Sequence, residues 1–148
     1  MKKLALSLFV VLTALTNVFA QNFEAECPSG QMLNFKIIDQ ENHYVEISTN
    51  TNIHGHLILP ENVTYQNQDY TVKEIGIYAF DECQGITGSL IIPNTITSIK
   101  EFAFYYTGIE ELTIGESVES INGFAFGSCN NLSKVYFNAI NCVAAPAW

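Results

Sequence analysis

The chain has 148 residues, 15 acidic side chains and six lysines, and its formal net charge is −9. No arginine occurs, and without Lys2 and Lys3 the balance falls to four lysines against 15 acids, a net charge of −11. Phosphate backbones are held by clustered Lys and Arg, so nucleic acid is a poor partner for this surface, and anionic lipid is disfavoured for the same reason.

The first residues have the three-part layout of a secretory signal peptide. Lys2 and Lys3 precede an apolar run from Leu4 to Leu15, and Val18-Phe19-Ala20 offers a cut after Ala20. A spanning helix needs roughly 20 apolar residues, and Thr13, Thr16 and Asn17 interrupt this run. Residues 1–20 are therefore expected to be a removed leader, with no stable membrane insertion and a protein that is secreted or held at the cell surface. The first cysteine is Cys27, away from the cut, so a lipid anchor is not expected. The mature chain, 21–148, suits one domain with a modest core.

Residues 21–56 read as an N-terminal β cap. Leu33, Phe35 and Ile37 alternate, Asp39 to Asn42 turns, and Tyr44 to Ile47 returns as the second arm of a hairpin. His43 lies beside the turn and is expected to be solvated. His54-Gly55-His56 puts two imidazoles on one face of an extended segment. Zinc wants three or four protein ligands, and no third lies nearby, so the pair reads as a polar lead-in and no metal is expected.

From residue 57 to 148 the sequence repeats itself. Ala-Phe recurs at Phe80, Phe104 and Phe126, and Ile75, Ile99 and Ile121 keep the same intervals. Leu90, Ile96 and Ile99 are echoed by Leu112, Val118 and Ile121. A period in the range of about 20–29 residues with fixed apolar positions is the mark of a leucine-rich solenoid. The fold class is thus an α/β-type leucine-rich repeat solenoid, strand-dominated, with short helical or 3-10 turns and an N-terminal β-hairpin cap. About three repeats and a partial fourth are expected.

Each repeat begins with a short strand: Leu57-Ile58-Leu59, Leu90-Ile91-Ile92, Ile109-x-x-Leu112-x-Ile114, then Leu132-x-x-Val135-x-Phe137. Pro60, Pro93 or Gly115 closes it. Ala-Phe then points inward, Ala letting backbones approach and Phe filling the space between layers. The first repeat carries an insertion, Thr64 to Val72, read as a hairpin turning at Asn67-Gln68-Asp69.

LIIPNTITSIKEFAFYYTGI and LTIGESVESINGFAFGSCNNL resemble the BspA-like leucine-rich repeat family, whose repeats look like L-x-I-P-x-S-V-T-x-I-G-x-x-A-F-x-x-C-x-x-L. The resemblance covers Leu57 to Phe137. Gly115 stands for the proline, Lys100 and Asn122 for the glycine after Ile, and the middle repeat lacks its Cys. The resemblance implies an exported bacterial surface protein of adhesion type. Its partner would be a protein or a surface glycan, with host matrix protein among the candidates.

Chemistry is sparse. Cys83 and Cys129 share a repeat position two layers apart, roughly 10 Å at the usual strand spacing, beyond the ~7 Å a disulfide tolerates. They read as buried thiols. Cys27 and Cys142 would pair only if one terminus folded back. Glu110, Glu111 and Glu116 read as solvated rim residues rather than the flanking pair of a glycosidase. No glycine-rich phosphate loop or nucleophile motif is present, so neither cofactor nor catalysis is expected.

What remains is the outward side of the strands: Ile58, Ile91, Thr113 and Tyr136, flanked by His56, Ser89, Glu111 and Lys134. Such a stripe suits a binding face, although β-branched residues also sit there for strand propensity alone. Tyr136 is the expected anchor, with Lys134 as a rare positive charge. The leading reading is a non-catalytic binding or adhesion module. A structural spacer or a fragment of a longer repeat protein is the alternative, and a secreted hydrolase the remote one.

The leader gives the first prediction. N-terminal sequencing of exported protein should find a start at or near Gln21; a retained Met1 on cytoplasmic protein would contradict it.

Overall fold

The computed structural model describes residues 21–148, so the leader lies outside it. Eleven strands occur among the described residues: β1 (Asn22–Glu26), β2 (Met32–Asp39), β3 (Tyr44–Ile47), β4 (Asn62–Tyr65), β5 (Gln68–Ile75), β6 (Thr87–Ile91), β7 (Ser98–Ile99), β8 (Gly108–Ile114), β9 (Ser120–Ile121), β10 (Lys134–Phe137) and β11 (Val143–Ala144). They make a strand-dominated solenoid with two sheets and a column of turns. One sheet runs β1-β2-β3-β5-β7-β9-β11, with β4 beside β5; the other runs β10-β8-β6.

Alternation builds the N-terminal unit. Leu33, Phe35 and Ile37 turn inward from β2 while Met32 and Ile38 face solvent. The hairpin with β3 forms as its pattern predicts, and Asp39 Oδ1 accepts the N–H groups of Glu41 and Asn42 at its turn. β1 adds a third, antiparallel strand with Phe23 opposite Phe35. The Phe23 ring also lies on Tyr65 at 4.3 Å, joining β1 to the inserted hairpin. That hairpin turns one residue earlier than expected, at Gln66 and Asn67 (φ 50° and 64°), the pair of left-handed residues a tight two-residue turn needs. His43, expected in solvent, is half-buried with its ring edge-on to Tyr70 at 5.5 Å.

β3 then pairs in parallel with β5, so cap and repeats share one sheet. Asn50 strengthens the join. It is 2% exposed, its side-chain oxygen accepts the Asn34 N–H at 2.8 Å, and its own N–H donates to Ala79 O at 2.7 Å. Lys100, standing where the family pattern has glycine, spans Glu46 on β3 and Glu74 on β5, each at 2.6 Å. Lys36 adds a looser contact to Glu46 at 3.5 Å.

In the repeats Ile75, Ile99 and Ile121 stand in register, as do Leu90, Leu112 and Val135. Where short helical or 3-10 turns were expected, the return path contains tight turns, and no helix occurs among the described residues. The reason is local. Tyr78, Phe102 and Phe124, then Glu82, Tyr106 and Ser128, take φ values of 54° to 57° and break any helical run. Backbone N–H groups are thereby left for the neighbouring layer: Phe80 donates to Ala103 O and Phe104 to Ala125 O, both at 2.7 Å.

Ala79, Ala103 and Ala125 are fully buried and let these backbones meet. Phe104 lies flat between Phe80 and Phe126, with centroids 5.0 and 5.2 Å away. Trp148 closes the stack edge-on to Phe126 at 6.1 Å. The third position after Ala-Phe also has a common task. Cys83, Thr107 and Cys129 each hydrogen-bond a main-chain carbonyl through the side chain, so Thr107 substitutes for the missing Cys.

Two strand expectations need correction. Leu57-Ile58-Leu59 forms no ladder; the segment meets the next layer through a single bridge just before it, Gly55 to Ile86. In β10 the inward–outward alternation is lost to solvent, with Val135 44% and Phe137 43% exposed, because no further layer among the described residues covers them.

Phe104→Ala should cost on the order of 3–5 kcal/mol in chemical denaturation; a loss below about 1 kcal/mol would contradict the stack. For Lys100, burial lowers its pKa, but the hydrogen bonds to Glu46 and Glu74 outweigh this and hold it above the ordinary 10.5. Its contribution is thus complete below pH 10.5 and lost as pH rises through the higher folded value. Lys100→Met should cost about 2 kcal/mol at neutral pH, between exposed and buried pairs. That difference from wild type should shrink in urea titrations above pH 10.5. An unchanged difference would mean the ion pairs are not the source.

Candidate binding face

Because successive strand residues face opposite sides, the core positions Leu90 and Leu112 leave Ser89, Ile91, Glu111 and Thr113 facing out. Parallel pairing then sets Ile91, Thr113 and Tyr136 side by side, and Ser89, Glu111 and Lys134 likewise. Ile91 is the most open of the stripe at 62%, Ile58 and Tyr136 are exposed, and Thr113 is half-buried. Lys134 is not a free charge. Its Nζ lies 2.6 Å from Glu111 Oε1, and that hydrogen bond holds its pKa above the usual lysine value.

An open groove of about 420 Å³ lies across the layers, lined by residues 56–59 together with the outer side of β6 and β8. It brings together His56, Ile58, Ser89, Ile91 and Thr113 from the expected stripe. Glu111, Lys134 and Tyr136 stand outside it. The groove adds residues that the strand pattern missed: Glu61, Pro93, Asn94, Gly115 and Asn138. Pro93 and Gly115 close their strands, and Glu61 and Asn94 follow such a proline, so those corners are the signal that marks four of the five.

Gly115 occupies a tight corner. A Cβ there would meet Ile92 O at 2.6 Å and Asn94 Oδ1 at 2.8 Å. Asn94 Oδ1 in turn accepts the Glu116 N–H at 2.9 Å, fixing the corner between layers. The groove thus joins the exposed apolar side chains of Ile58 and Ile91 with the polar ones of His56, Glu61, Asn94 and Asn138.

Elsewhere the reactive residue types are dispersed. All four cysteines are free thiols. Burial pushes the Cys83 and Cys142 thiols up, away from the reactive thiolate. His54 and His56 are both exposed, and among the described residues no three His, Cys, Asp or Glu side chains cluster as metal ligands. Glu110 and Glu116 are exposed, and Glu111 is tied to Lys134. No helix among the described residues is long and apolar enough to cross a membrane.

No curated protein matches the chain. Two solved structures are similar to it. The pneumococcal vaccine antigen PcpA aligns over 79% of this chain and 39% of its own, with 17% identity and a TM-score of 0.49. A leucine-rich repeat protein from Bacteroides ovatus aligns over 70% of this chain and 39% of its own, with 22% identity and a TM-score of 0.40. The chain thus spans well under half the length of either. The profile of the BspA type leucine-rich repeat region matches residues 51–144, in six copies. That match takes in most of the chain, the repeat strands β6, β8 and β10 and all three Ala-Phe turns: the protein belongs to the BspA-type leucine-rich repeat family.

Proposed function

We propose that the protein is an exported, non-catalytic binding module that holds a protein or surface-glycan ligand along the outer side of β6, β8 and β10. The groove is the observation that supports this reading. It combines exposed apolar side chains with polar ones, which is the usual composition of a specific contact site. It also crosses successive layers, as ligand faces of solenoids do. The dispersal of glutamates, histidines and thiols favours binding over hydrolysis. Within the groove Ile91 is the anchor, and Tyr136 extends the contact at its edge. Adhesion to a cell surface or to host matrix is the role this arrangement would serve in an exported bacterial protein.

Cleaved protein tested against matrix proteins and surface glycans should show saturable binding to at least one. Ile91→Asp should weaken it by about 2 kcal/mol or more, as loss of a central apolar contact does, while the circular dichroism spectrum is retained. Absence of saturable binding to any ligand of the panel, or full binding by the variant, would refute the assignment of this face.

A further inference from the structure

A second exposed feature lies on the turn column, away from the strand face. Tyr78, Phe102 and Phe124 each precede the Ala-Phe pair of their layer and form a ladder outside the core. Tyr78 stacks on Phe102 at 5.2 Å and 12°, and Phe102 on Phe124 at 5.5 Å and 11°. All three have φ 56°, a region that bulky side chains enter only with backbone strain. Nevertheless Tyr78 remains 46% and Phe124 49% exposed.

The turn itself does not demand rings. The second left-handed position of the same three layers holds Glu82, Tyr106 and Ser128. Asn or Gly would adopt the ladder conformation with less strain. Three rings kept at strained positions, the outer two open and Phe102 between them half-buried, therefore need a reason beyond the backbone. Tyr105 broadens the patch: it stands edge-on to Phe102 at 5.5 Å, and its ring occupies the space where a side chain on Gly127 would lie.

Charge indicates what the patch would take. Glu101 immediately precedes Phe102, and Asp81 and Glu82 follow Tyr78 by three and four residues, so the turns that carry the ladder are themselves acidic. Every lysine of the described residues is engaged elsewhere: Lys36 and Lys100 with Glu46, Lys134 with Glu111, and Lys73 over the Tyr44 ring. An anionic ligand would meet only repulsion. Aromatic rings beside carboxylates attract cations, and guanidinium groups both stack on rings and pair with carboxylates.

We propose that the ladder is a docking surface for an extended, basic segment of a partner protein, with Arg or Lys side chains against Tyr78, Phe102 and Phe124 and paired with Glu82 and Glu101. Three layers at about 4.8 Å spacing are covered by roughly four extended residues, so a short segment suffices.

The test is fluorescence anisotropy with a short labelled Arg-Ser repeat peptide at about 0.15 M salt, alongside Ser-only and Glu-Ser peptides. Saturable binding of the Arg-Ser peptide alone is expected. The triple variant Tyr78→Asn, Phe102→Asn, Phe124→Asn should weaken it on the order of tenfold or more, whereas Ile91→Asp should leave it unchanged. Loss in Ile91→Asp would place the peptide on the strand face and overturn the ladder site. Equal binding by a folded triple variant would reduce the effect to net charge and also overturn it, as would equal binding of the Ser-only peptide or no saturable binding. If the triple variant does not fold, Phe124→Asn alone replaces it, with a loss of about threefold expected and an unchanged affinity counting against the site.

Discussion

Each layer of this protein depends on a neighbour it cannot do without. A turn of the solenoid has its Phe at the centre and no second wall of its own, so Phe104 is buried only because Phe80 and Phe126 lie on either side. The same dependence explains strands of two residues. β7 and β9 are too short to persist alone, yet they align in register because the alanines behind them let adjacent backbones close to hydrogen-bonding distance. Remove the close approach, and the ring stack and both sheets lose their spacing together.

Much of this was legible in the residues, because fixed intervals carry fixed roles. Ala-Phe, the isoleucine column and the Leu33 to Ile47 hairpin are all where period and alternation put them. Other features escaped for identifiable reasons. β1 has only Phe23 and Ala25 to signal alternation, and its partner is supplied by the fold. Short helical or 3-10 turns were expected with the leucine-rich repeat class, and left-handed φ at an aromatic residue has no sequence mark. Lys100 looked like drift from a glycine, and its partners Glu46 and Glu74 lie on two other strands.

The candidate face was partly legible in the same way. Strand alternation located Ile58, Ser89, Ile91 and Thr113, but a groove also needs walls, and Glu61 and Asn138 reach it only through stacking. Lys134 shows the opposite limit. Its sequence position suggested a free charge for a ligand, and the layer below supplies Glu111 to neutralise it. In a chain with so few cations, their use inside the scaffold leaves the surface acidic nearly everywhere.

The turn column has one further consequence. Its interlayer hydrogen bonds all point the same way: Asn50 donates to Ala79, Phe80 to Ala103, Phe104 to Ala125, and Phe124 to Ala147. Neighbouring strands in a sheet largely cancel their peptide dipoles, but these add, as they do along a helix. The column therefore carries a partial positive pole toward its later layers and a negative one beneath the cap. On a strongly acidic protein this gives the turn column a local polarity that no charged side chain supplies.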